Sequence, residues 1–460
     1  MRSTWYGYGW CFALTFVSAS ILALTVAGQD WNRFRGPNGS GVAADTDPVP
    51  SEFGPDKNLK WKNPLPGAGV SSPIVVGDKV FVTCYSGYGV DRRNPGDQKD
   101  LKRHLVCVNR ADGKTIWEKT IDPVLPEDEF GGAGVPEHGY ASHTPVSDGE
   151  RIYCFFGKTG VLAFDLDGKE LWRKSVGTDS DPRRWGTSSS PIVHENVVIV
   201  TAGPESRSFY AFDGKTGEQV WKEKADSLGN VWGSPSLVLG KDGQAELVIG
   251  APYELWGLNP ATGQLNWYCN AMENDQFNSS VVVADGVVYA IEGRGAIALK
   301  AGGKDDVTKT NVVWNGNYSG RFGSPIVHNG LLYSISGGLA NCVNVKDGSK
   351  VYEERLATPA APASPTPAGG QPQRGGGGRQ GRGGGGFGGS DYSSPVMADG
   401  KIYFVTRSGE IHVIKAGEKF EQLATNRVTT DREDFSATPA ISHGAIFIRS
   451  NKFLYCVSEK

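Results

Sequence analysis

A short motif recurs along this chain: Ser or Thr followed by Pro, a few apolar residues, a turn such as Asp-Gly, and a second apolar run. Copies stand at Ser72-Pro73, Thr144-Pro145, Ser190-Pro191, Ser234-Pro235, Ser324-Pro325, Ser394-Pro395 and Thr438-Pro439, and an eighth at Ser279-Ser280 lacks the proline. Most neighbouring copies lie 44 to 46 residues apart, and the two longer gaps, after Pro73 and after Pro325, coincide with insertions. A fixed period of this length marks a chain built from stacked supersecondary units, none of which buries its apolar face alone.

Within a unit there are four short segments rich in Val, Ile, Phe and Tyr and bounded by Gly, Asn or Asp, the composition of strands and turns. The third unit shows them at residues 191–193, 197–201, 209–212 and 219–222. No stretch beyond the leader carries a long helical period. Four strands per unit of about 45 residues match one blade of a β-propeller. The expectation is an all-β fold: an eight-bladed propeller of four-stranded antiparallel blades.

The third segment ends in a recurring turn: Asn109 to Gly113, Asp213 to Gly217, Asn259 to Gly263 and Asn344 to Gly348. An Asx side chain bonds the backbone two residues on, and the closing glycine accepts a positive φ. As calcium loops these turns would need further carboxylates at alternate positions, so they read as hairpin turns. A large aromatic follows: Trp117, Trp172, Trp221, Trp267, Trp314 and Tyr352. One per unit suggests a wedge between neighbouring blades. Cys107, Cys342 and Cys456 occupy the repeat position held elsewhere by Ala163, Ala211, Gly257 and Ala298. A small residue is wanted there, and equivalent sites in different blades are too far apart to bridge, so buried thiols are expected.

The eighth unit stops after three strands, and residues 59–65 read as its missing fourth. The expectation is that this N-terminal segment closes the last blade and removes an open edge. Residues 1–28 carry Arg2, an apolar run over 12–26 and the small pair Ala27-Gly28, the layout of a cleaved export signal. The run is shorter than the roughly 20 apolar residues of a spanning helix, so no transmembrane segment is expected after cleavage, and the protein is expected to be periplasmic or secreted. Residues 29–58 are expected to form an N-terminal extension packed on the propeller, which spans 59–460; within it the segment 31–41 is too aromatic for a disordered leader and is expected to pack along the propeller's outside. The insertion 358–390, rich in Pro and then in Gly and Arg, reads as disordered.

Leu162-Ala-Phe-Asp165 with Gly168-Lys-Glu-Leu-Trp172, and Tyr210-Ala-Phe-Asp213 with Gly217-Glu-Gln-Val-Trp221, resemble the repeat of the pyrroloquinoline-quinone-like propellers. That group includes quinoprotein alcohol dehydrogenases and the propeller lipoprotein of the outer-membrane assembly machinery. The segment 31–41 is similar to the start of an exported bacterial branch without an assigned activity. In the dehydrogenases the resemblance implies a quinone beside a vicinal bonded cysteine pair, with calcium and a catalytic carboxylate. This sequence has no adjacent cysteines, so no cofactor is expected, pyrroloquinoline quinone being the alternative.

The balance of 47 basic against 50 acidic residues gives no drive toward nucleic acid. Insertions at 85–103, 122–139 and 358–390 fall on one face of a propeller, whereas turns on the other face, such as Asp148-Gly149 and Asp399-Gly400, are tight. Loops on a rigid scaffold carry function. The inner rim of the elaborated face is expected to present His138, Tyr140, His143, Arg183, Arg184, Trp185, Trp232 and Arg321 as ligand-binding residues, together with Asn230, Asp275, Asn278, Tyr318, Asp391, Tyr392, Asp434 and Phe435. The alternative is that they fill the channel and bond one another. Two histidines in one loop are too few for a metal site. With no GxSxG elbow, no nucleophile is assigned. The expected role is binding or scaffolding in the bacterial envelope, with an envelope protein, peptide or glycan as partner; the rival is a quinone-dependent oxidoreductase.

Overall fold

The computed structural model describes residues 30–43, 47–132, 134–240, 243–358 and 390–459. The proposed export signal, and all of the 358–390 insertion except its end residues, lie outside them. Eight antiparallel sheets of four consecutive repeat segments surround one axis. The first comprises Ile74–Val76, Lys79–Ser86, Lys102–Asn109 and Thr115–Ile121. The closing strand is where the sequence places it: Leu59–Pro64 pairs with Phe453–Ser458 and completes the eighth sheet, with Trp61 opposite Cys456. No helix among the described residues is long and apolar enough to cross a membrane.

The repeated residues now have physical reasons. Gly113, Gly217, Gly263 and Gly348 close their turns onto the carbonyls of Asn109, Asp213, Asn259 and Asn344. The Asx oxygens accept from the backbone two residues on. Each such glycine also supports the aromatic of the preceding blade. A Cβ on Gly217 would come within 2.6 Å of Trp172, and its φ of +72° is in the left-handed region. Indole Nε1 donors of Trp61, Trp117, Trp172, Trp221 and Trp314 reach across to Arg110, Leu166, Gly214, Pro260 and Val345 carbonyls at 2.8–3.1 Å. These are the expected wedges. Trp267 departs: its indole donates to Glu246 of its own blade, and an added parallel strand, Asp305–Asp306, covers its edge.

Opposite each wedge in the register stands a small residue: Cys107 faces Trp117, Ala163 faces Trp172, Ala211 faces Trp221, Gly257 faces Trp267, Ala298 faces Trp314 and Cys342 faces Tyr352. All six described cysteines are unbonded and buried, and burial raises the thiols of Cys107, Cys342 and Cys456 to about 12.

The Ser/Thr of the recurring motif forms a belt around the axis. The backbone N–H of Ser72 donates to the hydroxyl of Thr144, Thr144 to Ser190, Ser190 to Ser234, and so on through Ser280, Ser324 and Ser394 to Thr438, at 2.8–3.0 Å. Seven such bonds thereby link the eight blades in sequence, just ahead of their innermost strands. The lost proline at Ser279-Ser280 does not interrupt the belt, because the hydroxyl is the working group.

Residues 31–41 do not lie along the outside; only the later part of the extension reaches an outer strand, where Asn426 bonds Ser51 and Phe53. The segment 31–41 crosses the base of the ring on the tight-turn side. Trp31 pairs with Val75 of the first blade, Asn32 with Ser147 of the second, Arg33 with the Pro235 carbonyl of the fourth and Arg35 with the Pro325 carbonyl of the sixth, and Gly41 with Met397 of the seventh. Of its two aromatics, Trp31 is fully buried in the core of the blades. Phe34 faces the channel, which is therefore blind.

Candidate site at the channel mouth

The channel opens on the face that carries the insertions. It encloses a cavity of ≈ 160 Å³, floored by Phe34, walled by the hydroxyl belt and flanked at the mouth by His138, Trp185, Trp232, Asn278, Phe322 and Tyr392. A cavity of about 150 Å³ suits a molecule the size of benzene. The aromatics form two pairs, Trp185 with Trp232 at 5.3 Å and Phe322 with Tyr392 at 4.6 Å between ring centroids. Guanidinium groups lie over them: Arg183 over Trp185, Arg321 over Phe322 and Arg407 over Tyr392, at 5.2–5.5 Å.

Charge at the mouth is paired. Arg183 donates to Asp275 at 2.5 Å and to Gln276 at 2.6 Å. Arg407 donates to Glu137 and Asp434, both at 2.6 Å, and Arg92 to Glu137 at 2.7 Å. Burial pushes the Glu137 carboxyl up, but the hydrogen bonds and charge of Arg407 and Arg92 outweigh it and hold it below its ordinary value. The loop 181–186 is fixed by Asp181, whose carboxylate accepts from the backbone of Arg183, Trp185 and Gly186 at 2.8–3.1 Å. The Trp232 indole donates to the Gly186 carbonyl.

Of the residues expected at the rim, Arg183, Arg184, Trp185, Trp232 and Arg321 cluster at or beside the mouth, Arg184 and Arg321 being exposed. His138 lines the cavity, its Nδ1 2.5 Å from Ser142 Oγ and its Nε2 2.5 Å from the Trp185 carbonyl. Tyr140 and His143 turn away from the mouth. Tyr140 packs with Tyr85, Tyr88 and Phe130 in a small core that the insertions 85–103 and 122–139 build between themselves, and its hydroxyl donates to Asp128 O. His143 is buried against Phe155 and bonds Thr187. It lines a second, smaller cavity of ≈ 30 Å³ with Arg103, Asp128, Lys158 and Glu205. Burial, then the charge of Arg103, holds His143 well below the ordinary histidine range. Tyr318 points outward to Gly348 O, and Phe435 is buried against Tyr455. Proximity to the repeat motif in sequence does not separate a rim residue from one absorbed by the insertions' own core. The belt hydroxyls, Phe34, Ser142, Phe322 and Arg407 were not expected at the site; the spacing of His138 and Ser142 was the available signal for one pair.

The quinone arrangement implied by the resemblance does not fit these residues. The six described cysteines sit within the blades and none of them lines the channel. Among the described residues no group of three or more His, Cys, Asp or Glu side chains could hold a metal ion.

Comparison with known proteins places this architecture. The chain covers 99% of BamB from Moraxella catarrhalis, with 87% of its own length, at a TM-score of 0.56 and 12% identity. It covers 81% of quinohemoprotein alcohol dehydrogenase from Comamonas testosteroni, with 94% of its own length, at 0.58 and 11% identity. These likenesses are of fold. In sequence, tetrathionate hydrolase of Acidithiobacillus ferrooxidans is 25% identical over 177 residues, 36% of this chain and 32% of that protein, so the match spans about a third of the relative's length. The family described as outer membrane protein assembly factor BamB matches residues 101–354, more than half of the 460. The chain belongs to that family of pyrroloquinoline-quinone-like propellers.

Proposed function

We propose that this chain is an exported binding protein of the bacterial envelope that grips an extended segment of a protein partner at its loop-bearing face, seating an aromatic side chain in the channel. The observation that carries this reading is the blind, benzene-sized cavity with two aromatic pairs at its mouth. Pockets for whole cofactors run to about 300–1,000 Å³, whereas this one suits a single ring. Paired arginines over the rings leave flat cationic edges suited to the carbonyls of a peptide. Export is supported by the apolar run at residues 12–26, and the role by the family's description.

The test is photo-crosslinking in cells from two positions, Arg184 on the loop face and Glu195 on the tight-turn face. The reading expects a discrete envelope-protein adduct from Arg184 that disappears with Trp185→Ala, and none from Glu195. Equal capture from both positions contradicts it.

A further inference from the structure

Ser142 and His138 share a wall of the channel, and their contact has no part in gripping a peptide. His138 ends the helical turn Val135–His138, and Ser142 follows four residues on, past Gly139, where the chain leaves the helix. His138 Nε2 lies 2.5 Å from the Trp185 carbonyl oxygen. A carbonyl only accepts, so this nitrogen carries the hydrogen. In the neutral imidazole Nδ1 is then a bare acceptor, and the Ser142 hydroxyl, 2.5 Å away, donates to it. Burial favours that neutral form, holding His138 below its ordinary value against the opposite pull of the Trp185 carbonyl.

The acceptor that orients the imidazole is itself fixed. Asp181 holds the Trp185 and Gly186 N–H groups, and Trp232 holds the Gly186 carbonyl. A Cβ on Gly186 would come within 3.0 Å of His138 Cε1, so the loop approaches the ring as closely as glycine permits. His138 and Ser142 both line the cavity, beside Trp185 and the belt. The belt oxygens accept backbone N–H groups, which leaves their own O–H protons to donate. Nucleophile, base, orienter and donors for a developing oxyanion thus meet at one cavity.

We propose that Ser142 is the nucleophile and His138 the general base of an esterase site acting on small esters that enter this channel, with the Trp185 carbonyl and Asp181 as positioning groups. It rests on the channel being open from the loop face, as the binding reading does. Ser142 Oγ bonds to the ester carbonyl carbon while its proton passes to His138 Nδ1. The carbon–oxygen bond to the alcohol breaks, and the alcohol leaves with that proton. Water then adds to the acyl-serine, giving a proton to His138, which returns it to Ser142 Oγ as the acid departs.

The full chain is treated with diisopropyl fluorophosphate, and the adduct is mapped by peptide mass spectrometry; p-nitrophenyl acetate hydrolysis is followed in parallel. The expected result is a single adduct on Ser142, absent in Ser142→Ala and slowed about 100-fold or more in His138→Gln. Asp181→Asn slows labelling by a smaller factor. The rate stays level at neutral pH and falls only below the ordinary histidine range, a profile that a purely structural Ser–His contact would not produce. Because the adduct is mapped on the parent chain, misfolding of a variant does not remove the test. No adduct on Ser142, or labelling indifferent to His138→Gln, overturns the proposal. Labelling without crosslinks from Arg184 would sink the binding reading alone, and crosslinks without labelling the esterase alone.

Discussion

Trp61 faces Cys456 across the seam where the first strand of the propeller completes its last blade, and its indole donates to the Arg110 carbonyl of the first blade at 3.0 Å. One side chain therefore fills the closing blade and bonds it to the next, so the ring depends on it from both sides. Trp61→Ala should cost about 3–5 kcal/mol, the range for removing a buried large aromatic. Trp61→Phe, which keeps most of the packing and loses the hydrogen bond, should cost about 1 kcal/mol more than a neutral surface change. Thermal denaturation of both variants checks the order; equal melting temperatures would mean that the seam does not carry stability.

Gly217 has two reasons to be glycine, a positive φ and the indole of Trp172 against its face, whereas Gly400 has a positive φ of +66° and nothing within 4 Å of an added Cβ. Ala at Gly400 should cost about 1–2 kcal/mol, the backbone term alone. Gly217→Ala should exceed it by about 1–3 kcal/mol through overpacking. Denaturant titration distinguishes them, and similar losses would show that the wedge yields freely.

Much of the scaffold was legible because its causes are local and repeat. The Asx–Gly turns, the aromatic after each turn and the small residue at Cys107, Ala163 and Ala211 each state one contact in several blades, with exceptions such as Trp267 that arise from a single insertion. The site was legible only in part, because it is not repeated. Tyr140 and His143 carry the same kind of side chain as Trp185 and Trp232, and what removes them from the mouth is the packing of two insertions on each other, a long-range event without periodicity. The route of residues 31–42 under the channel is equally non-local, resting on carbonyls of Pro235 and Pro325 about 200 and 290 residues away. The Ser142–His138 pair needed the Trp185 carbonyl, from the neighbouring blade, to give it a tautomer.

Glu205 lies in the smaller cavity. Burial pushes its carboxyl up to about 8, against the opposing pull of a backbone N–H and Thr187. In the unfolded chain it ionises near 4.5. Between these values the unfolded state releases a proton that the folded state keeps, so stability is lost as pH rises from 4.5 toward 8. Glu205→Gln should remove this dependence, raising the melting temperature at pH 8 by several degrees relative to the parent and leaving it nearly unchanged at pH 4.5. Calorimetry at the two pH values is the check; a constant offset between the proteins would contradict the assignment.

The channel's residues do not suit a calcium-held quinone. Incubation with pyrroloquinoline quinone and calcium should give no saturable change in the absorbance of the cofactor, and stoichiometric binding would overturn this part of the reading.

The most direct test of the loop-face account is a crystal structure of the chain with the partner segment captured from Arg184. The account predicts an aromatic side chain of that segment inside the channel, above Phe34 and between the Trp185–Trp232 and Phe322–Tyr392 pairs. A segment bound along the outer strands of the blades, with the channel left to solvent, would contradict it.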